Sequence, residues 1–130
     1  MLIIARVLSC TSALLLIATA YLHSTGTEGV RELLAANNIT GFFGEALPVI
    51  WLFFSWHLVI LATPLVWASI TNPHWFFPAS AFCSVIVIGD FFWVYSIAGW
   101  FPGTIILCCT IVSLITTAIL LRVEKIHWVK

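Results

Sequence analysis

The chain has 130 residues, 62% of them hydrophobic and 8% charged, with a formal net charge of zero. A soluble domain carries about 25% charged residues, so an aqueous globular fold is excluded and an integral membrane protein is expected. The balanced charge leaves no basic patch, which sets nucleic-acid binding aside.

Four apolar segments follow in order, at about 2–22, 46–70, 78–100 and 102–123. Each approaches or exceeds the roughly 20 apolar residues that cross a bilayer. The first, from Leu2 to Leu22, carries Ala5, Ser9 and Ala13 at four-residue spacing. Small stripes let helices approach closely, so this helix is expected to be scaffold or to face a partner. Ala18-Thr19-Ala20 resembles a signal-peptidase site. The apolar residues Leu2–Ala5 that precede Arg6 argue against a charged leader, and the segment is expected to remain as a span.

The connector, about 24–44, is the one long link. Thr25 or Thr27 is expected to cap a short helix over Glu28–Ala36. Val30, Leu33 and Leu34 form its apolar face, with Glu28, Arg31 and Glu32 opposite. That pattern predicts a helix lying on the membrane surface. Asn38-Ile39-Thr40 fits a glycosylation acceptor in an outward loop.

The second segment runs from about Ala46 to Ile70 and holds His57 near its middle. Glu45 opens it, where a negative charge suits a helix N-terminus; it is also a candidate second acid or head-group contact. Pro64 withholds its missing N–H from the Ile60 carbonyl and is expected to kink the helix below His57. The third segment, from about Pro78 to Trp100, holds Asp90. The fourth, from about Pro102 to Val123, carries Cys109, Ser113 and Thr117 as a second small stripe. Pro78 and Pro102 suit first-turn positions. The links around ITNPHWF and AGWFPG are short, which predicts antiparallel neighbours. The expected fold is therefore all-α, a single-domain, up-down four-helix transmembrane bundle with a short interfacial helix between its first two spans.

Arg122, Lys125 and Lys130 follow the last span, and Arg6 lies near the start. The positive-inside rule then places both termini in the cytoplasm, with His74 and His127 on that side. Trp75, Trp100 and Trp128 fall at expected interfaces, where Trp anchors. The four cysteines, Cys10, Cys83, Cys108 and Cys109, lie in apolar segments without a CxxC pair. They read as small hydrophobes, which excludes a thiol–disulfide oxidoreductase. No metal-ligand spacing is present, and no cofactor or metal is expected.

His57 and Asp90 carry the chemistry. His57 lies 11 residues past Ala46, about 16 Å along its helix. Asp90 lies 10 residues before Trp100, about 15 Å from the same surface. On antiparallel helices the two side chains reach one depth and can hydrogen-bond. A lone charge at that depth costs roughly 2.5–3.5 kcal/mol on insertion scales, so an intramembrane acid points to function. Burial favours the neutral form of each group and pairing favours the ion pair, an arrangement suited to proton transfer. A structural clasp between two helices is the alternative.

Aromatic residues are dense, with seven Trp, ten Phe and two Tyr. Trp93 follows Asp90 by three residues, and Phe53, Phe54 and Trp56 lie near His57. With Trp51 and Tyr95 they are expected to wall a site for a flat lipophilic molecule.

Small multidrug exporters of this size use a glutamate in their first helix; this chain has none there. A bis-histidine haem needs two His at one depth, which His23, His57, His74 and His127 do not supply. An aromatic membrane cavity with His and acid groups is similar in chemistry to those of sterol isomerases and integral membrane terpene cyclases, although no motif of either is matched. That likeness implies acid–base chemistry on an isoprenoid-, sterol- or quinone-like substrate; by depth and position the residues expected to be catalytic are Asp90, His57 and Glu45. The competing expectations are an accessory subunit of a larger membrane complex and a homo-oligomeric proton-coupled transporter.

Overall fold

A computed structural model describes the backbone of residues 2–71 and 74–127, and the side chains of those residues up to Glu124. The expected roles of Trp128, Lys130 and the Lys125 and His127 side chains lie outside the described residues. Five helices are present: α1 Leu2–Thr25, α2 Thr27–Ala36, α3 Gly41–Thr71, α4 Phe76–Ala98 and α5 Pro102–His127. No strand occurs among the described residues. Four stretches are long and apolar enough to cross a membrane: Leu2–Ala36, Gly41–Thr71, Phe76–Ala98 and Pro102–Glu124.

The helix ends follow local chemistry. Pro102 is the first residue of α5, where its missing N–H leaves no bond unmade. Thr104, at the third position, accepts a hydrogen bond from the Phe101 N–H at 3.0 Å. That is the reciprocal half of a capping box. Gly99 ends α4 at φ +65°, a conformation that costs a side-chain-bearing residue. The start of α2 differs from expectation. Its N-cap position is Gly26, with no side-chain cap. Thr25 and Thr27 instead donate back to the Leu22 and Ser24 carbonyls. The Thr25 bond closes the last turn of α1, and the Thr27 bond holds α2 against it.

The second span begins earlier than expected, at Gly41 rather than Ala46. Gly44 is why the turn before it can close. A Cβ there would sit 2.7 Å from the Ile39 carbonyl oxygen. Gly44→Ala should therefore loosen this turn, raising amide hydrogen exchange in the first two turns of α3 while leaving α5 unchanged. The helix continues through Pro48 and Pro64. Of the expected apolar face of α2, Leu34 is buried, Val30 is half-buried and Leu33 is 65% exposed.

The interior is built from small residues and leucines. One core joins Ala13, Leu16, Leu58, Leu61, Leu65, Val87, Leu107 and Leu114. A second, at the other end, joins Ala5, Ala68, Phe76 and Leu121. The buried polar residues are all Ser or Thr. Most of their hydroxyls return to a carbonyl of the preceding turn, as Ser12 does to Leu8 and Thr117 to Ser113. Away from water a hydroxyl gains from such a partner; the Ser80 hydroxyl is buried without one. Four hydroxyls reach across helices: Ser9 donates to the Leu65 carbonyl at 3.2 Å and Ser113 to that of Leu8 at 3.0 Å, Ser55 meets His23 at 3.1 Å and Ser69 meets Cys10 at 2.9 Å.

The small stripes take the scaffold side of their two expected roles. Ala5, Ser9, Ala13 and Thr117 are fully buried and Ser113 nearly so. They pack α1 and α5 within the bundle rather than presenting a face to a partner; Cys109 alone of these residues is exposed. α1 lies against α3 and α5 along its length, and α4 lies against α5. α3 and α4 meet only sparsely. The exterior carries Ile3, Phe42, Phe53, Trp93 and Ile97, each more than 70% exposed. An exterior this apolar fits a helical membrane protein.

Candidate functional site: a histidine–aspartate pair at the α3–α4 seam

His57 projects from α3 and Asp90 from α4. His57 Nε2 lies 3.1 Å from Asp90 Oδ2. The expected hydrogen bond therefore forms, and it bridges α3 and α4, which pack far more sparsely than α1 with α3, α1 with α5 or α4 with α5. The side chains are 32% and 18% exposed, His57 and Asp90 respectively, so the pair reaches the outer surface of the seam. Cys83 Sγ, deeper along the same seam, points at the Leu61 carbonyl at 3.8 Å.

A carboxylate and an imidazole at this distance can share one proton. When the bond hydrogen is on Nε2, the ring donates to Asp90 and leaves Nδ1 free as an acceptor. A proton added at Nδ1 makes an imidazolium that the carboxylate stabilises. A proton lost from it restores the neutral ring. The pair thus has the parts of a general acid–base group, with Asp90 orienting the ring.

The aromatic residues divide into three groups. Phe54 lies inward, its ring centroid 6.1 Å from that of His57. Phe53, Trp56 and Trp93 lie outward, at 73%, 66% and 71% exposure. By sequence spacing Phe53 and Trp56 neighbour His57 on α3 and Trp93 neighbours Asp90 on α4, and at this exposure they do not wall an enclosed cavity. Tyr95 belongs to a cluster at the Trp100 end of α4, stacked on Phe91 at 5.7 Å and edge-on to Trp100 at 5.1 Å. Trp51 turns toward α1 and stacks on His23 with centroids 4.1 Å apart.

Glu45 stands apart from the pair. It lines an open groove of about 510 Å³ between α2 and α3, together with Arg31, Leu34, Thr40, Gly44 and Pro48. Twelve residues separate it from His57, about 18 Å along a helix. The site therefore has two catalytic candidates in contact, His57 and Asp90, with Glu45 outside it.

His23 is the residue that sequence reasoning passed over. Its Nδ1 lies 3.1 Å from Ser55 Oγ. Its carbonyl accepts the Trp51 indole N–H at 2.7 Å. Its ring is 4.9 Å from Phe54. Trp51, Phe54, Ser55 and Leu58 recur at three- and four-residue spacing, one inward stripe of a helix. That spacing is the signal from which a buried partner for His23 can be inferred. No family model, curated protein or solved structure matches the chain, so its own geometry carries the functional reading.

Proposed function

We propose that this chain is a small multi-pass membrane protein whose His57–Asp90 pair is a polar site for a lipophilic small molecule. The ligand approaches from the bilayer along the α3–α4 seam. Its reaction is proton transfer of the isomerase or cyclase type, on an isoprenoid-, sterol- or quinone-like substrate. The carrying observation is the 3.1 Å contact between His57 and Asp90 at a sparse interface, with both side chains partly exposed among outward aromatics. A pair serving only as a clasp gains most at a tightly packed, enclosed interface. Here a carbonyl or double bond of a membrane-dissolved molecule can come up to the pair, with Phe53, Trp56 and Trp93 beside it as apolar contacts.

The bundle reading is a single up-down domain. It is supported by cross-helix pairs whose numbers run in opposite directions, Ser9–Leu65 against His23–Ser55 and His57–Asp90 against Leu61–Cys83. Both termini are cytoplasmic in this reading, by the positive-inside rule. A cysteine placed at Thr40 should react with a membrane-impermeant maleimide from outside the cell, while a C-terminal tag stays protected until the membrane is opened. The reverse pattern overturns the orientation.

The site itself is tested with a diazirine-bearing isoprenoid probe in nanodiscs. Labelling should concentrate on α3 and α4 peptides near Trp56 and Trp93 and fall severalfold in the His57→Leu/Asp90→Leu protein. Labelling spread evenly over all helices, unchanged in that variant, contradicts the proposal.

A further inference from the structure

A proton-handling pair on a lipid-facing seam needs a route to water. Hydrocarbon carries no protons, and the exposed edge of His57 faces it in the reading above. Two residues before His57 on α3, Ser55 faces the α1–α3 interface, where it meets His23 of α1 at 3.1 Å.

We propose that His23 is the proton-exchange residue between the outer aqueous face and the His57–Asp90 pair, with the Phe54 ring as the gate between them. This rests on the reading that the pair handles protons.

The geometry supports it in three ways. First, the His23 ring is held on one edge and one face. Ser55 Oγ engages Nδ1 at 3.1 Å, and Trp51 covers the face at 4.1 Å. Among the described residues Nε2 has no hydrogen-bond partner, so one ring nitrogen remains for exchange. Second, the helix clamp does not need an imidazole. The Trp51 indole bonds the backbone carbonyl of residue 23, which any side chain at that position leaves in place. An imidazole adds what an amide lacks, a proton that moves near neutral pH. Third, Phe54 contacts both rings, at 4.9 Å from His23 and 6.1 Å from His57. It is half-buried.

The step balances as a proton transfer. Water at the outer face gives a proton to the bare nitrogen of His23, which becomes an imidazolium. With Phe54 turned aside, the imidazolium gives one proton to an intervening water. That water passes a proton to the His57–Asp90 pair. His23 returns to neutral, and no electrons change hands. The ionisable groups in this path are His23 from α1, His57 from α3 and Asp90 from α4.

The test is the solvent-exchange rate of the His57 ring proton, read by nitrogen-15 NMR on ligand-free protein in nanodiscs at fixed pH. His23→Gln should slow exchange by about 100-fold, the low end of what a positioned acid–base group contributes. Ser55→Ala removes the clasp but keeps the imidazole, and should stay close to the unmodified protein. Phe54→Ala in the His23→Gln background should restore fast exchange by leaving the gate open. A His23→Gln rate equal to the unmodified one overturns the relay. Equal slowing by His23→Gln and Ser55→Ala makes His23 structural and overturns it too. A slow Phe54→Ala/His23→Gln protein overturns the gate. Ligand retention is measured separately, so failure here leaves the ligand reading standing, and loss of the ligand reading leaves these rates unchanged.

Discussion

Asp90→Leu should destabilise the protein by about 1–3 kcal/mol, because it leaves His57 Nε2 without its partner in a setting poor in water. The pair's partial exposure places the effect in the lower half of that range. His57→Leu should cost a similar amount by stranding the carboxylate. His57→Leu/Asp90→Leu should recover most of the loss, since both polar groups leave together. The interaction energy from the four proteins is expected at about 0.5–3 kcal/mol, as for residues in direct contact. Unfolding in mixed micelles measures each arm of the cycle. Additive single costs would mean that the two side chains do not pair. The functional consequence separates from the structural one in the double variant: it folds, and it should have lost the site.

Ala13→Leu is expected to be as damaging, by about 1–3 kcal/mol from overpacking. Ala13 is fully buried among Leu16, Leu58 and Leu114. Lipid tails are as apolar as leucine, so helices in a bilayer gain from close packing rather than from escaping water. Three extra carbons at this contact push α1 off α3 and α5 together. Leu14→Ala, one residue along at 66% exposure, should change stability by less than about 0.5 kcal/mol. A thermal melt of the two proteins side by side reads the contrast. Equal effects at positions 13 and 14 would mean that the stripe does not pack inside the bundle.

That contrast also explains what can be read from this chain and what cannot. Helix spans are legible because apolar runs of this length have few other uses. His57 and Asp90 stand out because each is the polar exception in its run, and short links bring them to one depth. The rotation of each helix is harder to read. On a helix that is apolar all round, polarity does not mark the inner face. Trp51 and Trp56 lie five residues apart on α3, equally hydrophobic, yet one stacks on His23 and the other is 66% exposed. The mark is size. Ser55, Ala62, Ala68 and Ser69 are buried on α3, as Ala5, Ser9, Ser12 and Ala13 are on α1. Large aromatics turn outward because small residues permit the close approach within. Trp56, Trp93 and Phe53, expected to wall the site, turn outward on this account, so whatever wall they form is an open one. Glu45 stands about 18 Å from His57 along α3, as its spacing predicts; the earlier start of α3 at Gly41 makes it an interior residue of that helix, in the α2–α3 groove with Arg31.

The same packing bears on the competing subunit reading. The small stripes on α1 and α5 are its main sequence support, and they are consumed inside the bundle. What remains exposed on those helices, such as Ile3, Leu14, Val112 and Ile119, is mostly branched aliphatic surface suited to lipid chains, with Tyr21 as the aromatic exception. The surface around the His57–Asp90 seam is richer in aromatic rings, and that asymmetry favours the seam as the working face.

The most direct measurement is native mass spectrometry of the protein taken gently from its own membrane, alongside Asp90→Asn. A small molecule bound in stoichiometric amount to the unmodified protein, and lost from a folded Asp90→Asn, is the predicted result. Defined protein partners with no small molecule, in both forms alike, would contradict the account and make His57 and Asp90 assembly residues.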